Sequence, residues 1–361
     1  MKNVEFLKIN FDDYNKLSRA NLINAKKKFR NLLSTARAVS KGDQCFYCGK
    51  NVSSFCNSHT IPAFCLKNIS VDGKVFYSNK FMEIPFMDFD KGIKQAGTFN
   101  IICRDCDSVI FHEYEDPSNY AIKPTSLMLA QIAMKNYLKA ISKRLNEHAI
   151  FDIKKQNPLL LNSDLIESYQ SIQNLDLNEY KNNFKKAKKL SFKNRDNEYY
   201  LFCYEKLNYV VPIAFQSTIA LIIDLDKQIV NDIYYQNIKY RIEDFHICIF
   251  PLQDTSIVMM FVDKNYKRYR NFYKKFRKLP LQERLSIINY IIFLYSEDMF
   301  LSKALPENIY NNDNLINIAR QTTIAVSNTP FSNAIEAAKE AYDLNKHNTI
   351  PNLLSQKYKV R

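Results

Sequence analysis

Four cysteines occur as two pairs, and within each pair the cysteines are separated by two residues. Cys45 and Cys48 form the first pair, and Cys103 and Cys106 form the second. Four thiolates complete a closed tetrahedral zinc site, and two pairs of this spacing are typical of such sites. We therefore predict that the four cysteines bind one structural Zn²⁺, which closes the loop between the pairs and leaves no coordination position for a substrate.

The remaining cysteines and the apolar segments bear on the compartment of the protein. Cys56 and Cys65 are alternative zinc ligands, but neither belongs to a pair, which favours free buried thiols. Eight cysteines in this arrangement are not typical of a secreted, disulfide-rich protein. The first residues contain no apolar core of signal-peptide length, and the most apolar run, Ile287 to Tyr295, is too short to cross a bilayer. We expect a cytoplasmic protein without a membrane partner.

A histidine lies in the loop between the cysteine pairs, and acidic residues follow the second pair. His59 precedes Thr60-Ile61-Pro62, and a neutral imidazole can take a proton from water. Asp107, His112 and Glu115 could hold a divalent ion such as Mg²⁺ or Mn²⁺, which would stabilise charge on a phosphodiester. A base and a Lewis acid together predict phosphodiester hydrolysis.

Each of these residues also has a structural explanation. A histidine beside a proline is often only a hydrogen-bonded core residue. Asp107 at the start of a helix can cap free N–H groups. Glu113, Glu115 and Asp116 fit a solvated acidic face. A zinc module without catalysis is therefore the alternative to a hydrolase.

The order of the motifs resembles the zinc-stapled HNH endonucleases, which share a treble-clef ββα-metal module. The resemblance covers about residues 43–116 and rests on Cys-x-x-Cys-Gly, Ser-His-x-Ile-Pro and Ile-Cys-Arg-x-Cys-Asp. It implies that His59 is the general base and that the paired cysteines hold the structural zinc. It further implies that Asn100 positions the loop and that Asp107 binds the catalytic Mg²⁺ or Mn²⁺, for which His112 is a second candidate ligand.

Three departures from the family pattern concern the catalytic metal. Ser58 stands where the family often has Asp, Glu or His as a metal ligand. The stretch between His59 and Cys103 is longer than the usual hairpin, and His112 is offset from the usual place of a final histidine.

The charge of the chain points to an anionic partner. The net charge is +14, with 51 Lys and Arg against 37 Asp and Glu, although an AT-rich genome also produces Lys-rich sequences. Between Lys264 and Lys278 there are eight Lys or Arg and no acid. Tyr266, Tyr269 and Tyr273, followed by Phe276, recur at helical spacing and predict a core face. The residues left to contact phosphates are Lys267, Arg268, Arg270, Lys274, Lys275, Arg277 and Lys278.

The elements that must position these residues predict an α+β protein. An N-terminal treble-clef zinc module with flanking helices would be followed by an antiparallel-sheet domain closed by helices. A helix is predicted after Pro124, and two more over 265–278 and 282–300. Short β-rich runs are predicted over 199–202, 209–215, 219–223, 234–240, 245–250 and 257–262.

Composition divides the chain into successive parts. They are a helical segment (1–40), a zinc-stapled module with a packing helix (41–150), a polar basic linker (151–197), a mixed α+β domain (198–340) and a polar tail (341–361).

We therefore expect a metal-dependent HNH-type endonuclease that acts on DNA, with RNA as an alternative substrate. The alternative function is a zinc-dependent nucleic-acid-binding or adaptor protein without catalysis. The C-terminal domain contains no catalytic motif, and we expect it to bind a regulatory ligand or a partner protein. By analogy, such an arrangement fits an effector of bacterial defence.

Overall fold

A seven-stranded antiparallel sheet lies at the centre of the computed structural model, which describes residues 19–82, 89–155, 163–193, 198–233, 235, 237, 239–324 and 334–361. The strands in spatial order are β3 (Asp90–Gly92), β2 (Lys74–Tyr77), β9 (Met299–Leu301), β6 (Ile213–Ile219), β7 (Phe245–Pro251), β8 (Ser256–Asp263) and β5 (Tyr199–Leu207). The predicted α+β class with an antiparallel sheet is confirmed.

The middle strands are buried on both faces of the sheet. Every residue of β7 and β8 is buried. Because successive side chains of a strand point to opposite faces, Ile247 and Ile249 enter one core, whereas Cys248 and Phe250 enter the other. The chain therefore forms three layers, with the sheet between two sets of helices.

One face of the sheet packs against long helices. They are α6 (Ser126–Lys155) and α7 (Ser163–Lys193), and α1 (Arg19–Ser40) packs on α6. Leu129 and Ala133 of α6 belong to the core on this face, as do Phe184 and Leu190 of α7. The segment 151–197, which composition predicted as a linker, thus contains a packed helix. The many Lys and Asn residues of α7 concealed its apolar stripe.

The opposite face packs against shorter helices. They are α8 (Arg270–Phe276), α9 (Leu281–Tyr295), α10 (Glu307–Tyr310), α11 (Asp313–Ile324) and α12 (Ala334–Ala341). Of the predicted core face of the basic segment, Tyr269 and Phe276 are fully buried, whereas Tyr266 and Tyr273 are half-buried against the same core. The helix predicted over 282–300 ends at Tyr295, and the chain then enters β9. Among the described residues, none of the helices combines the length and the apolar character that a membrane span requires.

The predicted polar tail is also part of the core. Leu344, Leu353 and Leu354 are fully buried. The Val360 N–H donates to the Val210 carbonyl at 2.9 Å, so the chain end lies along the segment that precedes β6. Three leucines among polar residues were too few to reveal this packing from the sequence. The predicted strand 234–240 lies partly outside the described residues, and its described residues form no strand.

Short elements surround the cysteine pairs. They are β1 (Ser58–His59), α2 (Ala63–Ile69), α3 (Asn79–Met82), β4 (Thr98–Phe99), α4 (Arg104–Ile110) and α5 (His112–Glu115). The β2–β3 hairpin lies between the pairs, and β2 joins the large sheet because Phe76 pairs with Leu301. The sheet therefore takes strands from both the 41–150 and the 198–340 segments. The exact boundaries between the segments that composition defines remain a prediction.

Candidate functional site

The four paired cysteines converge. The Sγ atoms of Cys45, Cys48, Cys103 and Cys106 all lie within 4.8 Å of one another. A tetrahedral zinc ion with bonds of about 2.3 Å would place its sulfurs about 3.8 Å apart. The cluster can therefore hold one metal ion, as the spacing predicted. Over the described ranges, no other group of His, Cys, Asp and Glu side chains has this arrangement.

Local backbone structure brings the two pairs together. Gly49 has a φ of +72° and lets the chain turn directly after Cys48. Its N–H donates to the Cys45 carbonyl at 2.8 Å. The Phe46 N–H donates to the Ile101 carbonyl at 2.8 Å, which ties the first pair to the segment before the second. Cys103 precedes α4, and Cys106 lies in its first turn.

Backbone donors prepare Cys45 as a ligand. The N–H of Cys103 lies 3.2 Å from Cys45 Sγ. Burial raises the pKa of the Cys45 thiol, but N–H groups of Cys48, Cys103 and Tyr47 outweigh burial and lower this pKa to about 7. Hydrogen bonds of this kind orient thiolates and stabilise their charge in metal sites.

His59 is held by a backbone carbonyl. In the small sheet, His59 of β1 pairs with Thr98 of β4. The Nε2 atom of the half-buried ring lies 2.9 Å from the Ile93 carbonyl oxygen. Because a carbonyl can only accept, Nε2 carries the proton and Nδ1 carries the lone pair in the neutral ring. The imidazole therefore offers Nδ1 as its basic atom.

Asp107 is surrounded by donors. Its carboxylate accepts hydrogen bonds from the Ser58 hydroxyl at 2.5 Å, the Cys56 thiol at 3.3 Å and the Lys135 ammonium at 2.9 Å. Burial alone would raise the pKa of Asp107, but the charge of Lys135 and these hydrogen bonds hold it below its usual value. Asp107 is therefore an ionised, fully engaged carboxylate.

Lys135 is the centre of this polar cluster. The residue lies on α6, and its side chain is only 1% exposed. The ammonium contacts Asp107 at 2.9 Å and Glu115 at 3.0 Å. It also lies 3.8 Å from the centre of the Phe111 ring, a distance that permits a cation–π interaction. We name Cys56, Ser58, Asp107, Glu115 and Lys135 the lysine cluster.

The two parts of the predicted active site lie on different faces of β1. Ser58 is fully buried and points to Asp107. His59 is the next residue, and neighbouring side chains of a strand point in opposite directions. The structure therefore joins Asp107 to Glu115 through Lys135, but it does not place His59 on their side of the strand.

The other two predicted catalytic residues have separate environments. The side chain of His112 is 67% exposed, and its Nδ1 lies 3.7 Å from a carboxylate oxygen of Glu113. His112 therefore does not join the lysine cluster. The Asn100 amide donates to the Cys56 carbonyl at 3.0 Å and to Asn57 Oδ1 at 2.5 Å. Asn100 thus holds the segment that leads into β1.

The predicted phosphate-binding residues divide into two groups. Arg268 is half-buried and donates to Asn231 and Tyr240, Lys275 pairs with Asp226, and Arg277 donates to Tyr200. The side chains of the second group are exposed, and in the part of the chain that the structure describes they have no acidic partner. This group consists of Arg270 and Lys274 of α8 and of Lys267 and Lys278, which flank the helix, and we name it the basic face of α8.

Lys135 was not among the residues predicted from the sequence. One signal was present, because Lys135 is the only charged residue between Leu129 and Leu138, in the apolar part of a predicted helix. A lone lysine within such a segment indicates a buried ion pair. The carboxylates that pair with it come from a different part of the chain, and helical periodicity does not identify them.

Comparison of the chain with family models, with curated proteins and with solved structures returned no match.

Proposed function

We propose that this chain is a nucleic-acid-binding protein in which a four-cysteine zinc centre is structural and the lysine cluster replaces a catalytic metal. The observation that carries the proposal is the buried ammonium of Lys135 between Asp107 and Glu115. These two carboxylates are the ones that the sequence offered to a divalent cation.

The lysine cluster and a hydrolytic metal site are mutually exclusive uses of the same carboxylates. A divalent ion would need the oxygens of Asp107 that already accept from Ser58, Cys56 and Lys135. It would also stand beside the positive charge of Lys135, which repels it. The cluster satisfies its charges internally, as a buried structural network requires.

Zinc fits the four-cysteine centre as a structural ion. Thiolates are the ligands that zinc prefers in closed sites, and four of them leave no position for water or substrate. The ion would hold the turn at Cys45 and Cys48 against the start of α4. Its contribution would be to folding and not to chemistry.

The basic face of α8 supports the choice of nucleic acid as the partner. Lys267, Arg270, Lys274 and Lys278 are exposed and free of acidic partners among the described residues. Their charges are available to neutralise phosphates, and the net charge of +14 adds long-range attraction. We take DNA as the first partner to test and RNA as the alternative.

A salt titration of binding tests this function. Duplex DNA binding is measured by fluorescence anisotropy for the wild type and for a variant with Lys267→Gln, Arg270→Gln, Lys274→Gln and Lys278→Gln. We expect a dissociation constant between about 10⁻⁴ and 10⁻⁶ M for the wild type, and a variant with weaker binding and a shallower dependence on salt. The matched control removes four exposed lysines from other elements: Lys67, Lys94, Lys123 and Lys206.

The control separates local contact from overall charge. Equal weakening by both sets of substitutions would mean that only the net charge matters. Absence of wild-type binding to DNA and to RNA at low salt would overturn the proposed function.

HNH-type cleavage is the second candidate, and the environment of His59 favours it. The Ile93 carbonyl fixes the ring so that Nδ1 can accept a proton, which is what a general base requires. Plasmid cleavage with Mg²⁺ or Mn²⁺ is compared between the wild type and His59→Ala. Cleavage that disappears with His59→Ala would establish this function, whereas no cleavage, or equal cleavage by both proteins, would exclude it.

A further inference from the structure

A cleft of about 250 Å³ opens beside the basic face of α8, at the β5 edge of the sheet. Three tyrosines, Tyr200, Tyr266 and Tyr273, line it together with Lys264 and Arg270. The sequence analysis assigned the aromatic residues of this segment to the core. Tyr266 and Tyr273 are only half-buried, however, and Tyr200 of β5 is half-buried as well.

The tyrosine rings are held in place by their neighbours. The Tyr200 and Tyr273 rings pack edge to face, with centroids 5.0 Å apart. Arg277 donates to the Tyr200 hydroxyl at 2.5 Å, and the Tyr266 hydroxyl donates to Asn183 Oδ1 at 3.2 Å. A ligand that contacts these rings would therefore not have to order them first, which reduces the entropic cost of binding.

The charges at the cleft favour an anion. Lys264 and Arg270 are exposed and, within the described ranges, have no acidic partner. Asp263 also lines the cleft, but its carboxylate is paired with Lys186 and accepts from the Asn265 N–H. The negative charge of Asp263 is thus neutralised, and Lys264 and Arg270 remain unpaired with acids of the described residues beside the aromatic rings.

The size of the cleft is sufficient for one aromatic unit. A volume of about 250 Å³ lies below the range of roughly 300–1,000 Å³ that is typical of pockets for drug-sized molecules. A single nucleobase is small and flat, and its faces stack on tyrosine irrespective of sequence. A base inside a duplex cannot use such a cleft, because its neighbours in the helix already cover both faces.

We propose that this cleft binds one unstacked nucleotide of single-stranded nucleic acid. The base contacts Tyr200 and Tyr273, and its phosphate contacts Lys264 and Arg270. The inference rests on the proposed function and adds to it a preference for single strands over duplexes, which the basic face of α8 alone would not provide.

The test compares a single strand with a blunt duplex of the same length, by fluorescence anisotropy at fixed salt. The wild type should bind the single strand about tenfold more tightly, which is the gain expected from stacking one base. Tyr200→Leu should abolish this gain and leave duplex binding unchanged within about twofold. The matched control is Tyr204→Leu, because Tyr204 is a half-buried tyrosine of the same strand that packs in the opposite core.

A second variant covers the case in which Tyr200→Leu does not fold. Lys264→Gln changes an exposed residue that is not part of the basic face of α8. It should weaken single-strand binding more than duplex binding. If the wild type binds the single strand and the duplex equally tightly and neither variant changes either affinity, the nucleotide site in the cleft is overturned. The proposed function would then remain intact. Equal weakening of both ligands by both variants would also overturn it. Failure of the wild type to bind either nucleic acid would instead remove the proposed function itself.

Discussion

The cysteine region and the central sheet are held together by different means. The cysteine region, residues 43–116 without the β2–β3 hairpin, contains the two-residue strands β1 and β4 and a seven-residue helix, α4, with no buried residue. The strands β7 and β8 of the sheet are instead buried over their whole length. The buried apolar residues of the cysteine region, such as Ile61, Ile102 and Phe111, belong to a core that they share with the sheet, so among the described residues the region has no separate core of its own. A metal ion at the four cysteines would therefore add to the stability of these short elements.

Buried charges are also treated differently in the two regions. In the cysteine region, Lys135 contacts two carboxylates, and the pKa of Asp107 is lowered. Beside the sheet, Asp244 is buried, and among the described residues its one side-chain donor is the Tyr137 hydroxyl at 2.9 Å. Burial, together with the nearby charges of Glu179 and Asp263, raises the pKa of Asp244 to about 7. The first carboxylate is stabilised as an anion and the second is destabilised.

Removal of the metal should have the largest effect, and this effect should be confined to the cysteine region. Zinc contributes about 10–16 kcal/mol to the folding of small structural sites, so we expect Cys48→Ser or a chelator to unfold the cysteine region. Hydrogen exchange measured by mass spectrometry should show rapid exchange in β1, β4 and α4 and continued protection of β7 and β8. Zinc content, measured on the same samples, should fall from one ion per chain to none.

The matched control for the metal is Cys56→Ser. Cys56 donates to Asp107 and lies outside the four-sulfur cluster, and a serine hydroxyl can make the same contact. This variant should keep its zinc. Full protection of the cysteine region in Cys48→Ser would show that burial alone is sufficient there.

The parts of the structure that the sequence predicted are those with local signals. The spacing of Cys45, Cys48, Cys103 and Cys106 identified the metal cluster, and apolar runs identified β7 and β8. Pairing between distant segments has no such signal. The pairing of β2 with β9 and the contact of Lys135 with Asp107 depend on packing of the whole chain. The carboxylates of Asp107 and Glu115 are paired with Lys135, and the sequence could not predict this pairing because the lysine comes from α6.

Loss of the buried ammonium should have the second-largest effect. Lys135→Met leaves Asp107 and Glu115 without their shared cation, and uncompensated buried charges cost about 3–5 kcal/mol. Urea denaturation should show this loss of unfolding free energy. Lys143→Met is the control, since Lys143 is 48% exposed and lies 3.6 Å from Glu297. Such an exposed pair contributes about 1 kcal/mol or less.

Addition of Asp107→Asn and Glu115→Gln to Lys135→Met tests the cause of this loss. The triple variant has no unpaired charge in the cluster, so it should recover most of the stability. If it were as unstable as Lys135→Met, the lysine would act through packing and not through its charge.

The pH dependence of stability should distinguish Asp244, beside the sheet, from Asp107 in the cysteine region. The pKa of Asp244 rises from 3.8 in the unfolded chain to about 7 in the folded protein, so the folded state retains its proton longer. Stability from this group is complete below pH 3.8 and is lost as the pH rises through 7. As the pH rises from about 5 to about 8, ionisation of Asp244 should lower the free energy of unfolding by about 2–3 kcal/mol.

Asp244→Asn removes this titration and keeps an oxygen that can accept from Tyr137. The variant should be more stable than the wild type at about pH 8, and the difference should shrink towards about pH 5. Thermal unfolding at both pH values measures it. A constant difference between variant and wild type across this range would contradict the raised pKa.

The smallest effect should come from the place where the two regions meet. Gly97 has a φ of +61°, and a Cβ atom there would lie 2.6 Å from Cζ of Phe300 and 2.8 Å from Oγ1 of Thr60. Phe300 belongs to β9 of the sheet, and Thr60 follows β1 of the cysteine region. A methyl group on Gly97 would therefore push these two regions apart. Strain and the disturbed contact should cost about 1–2 kcal/mol in Gly97→Ala. Gly92→Ala is the control, since Gly92 has ordinary backbone angles and no atom within 4 Å of an added Cβ.

If the regions are coupled through this contact, Gly97→Ala should also speed hydrogen exchange at Thr98 and Phe99 of β4. Unchanged exchange in β4, together with unchanged stability, would show that the two regions fold independently at this contact.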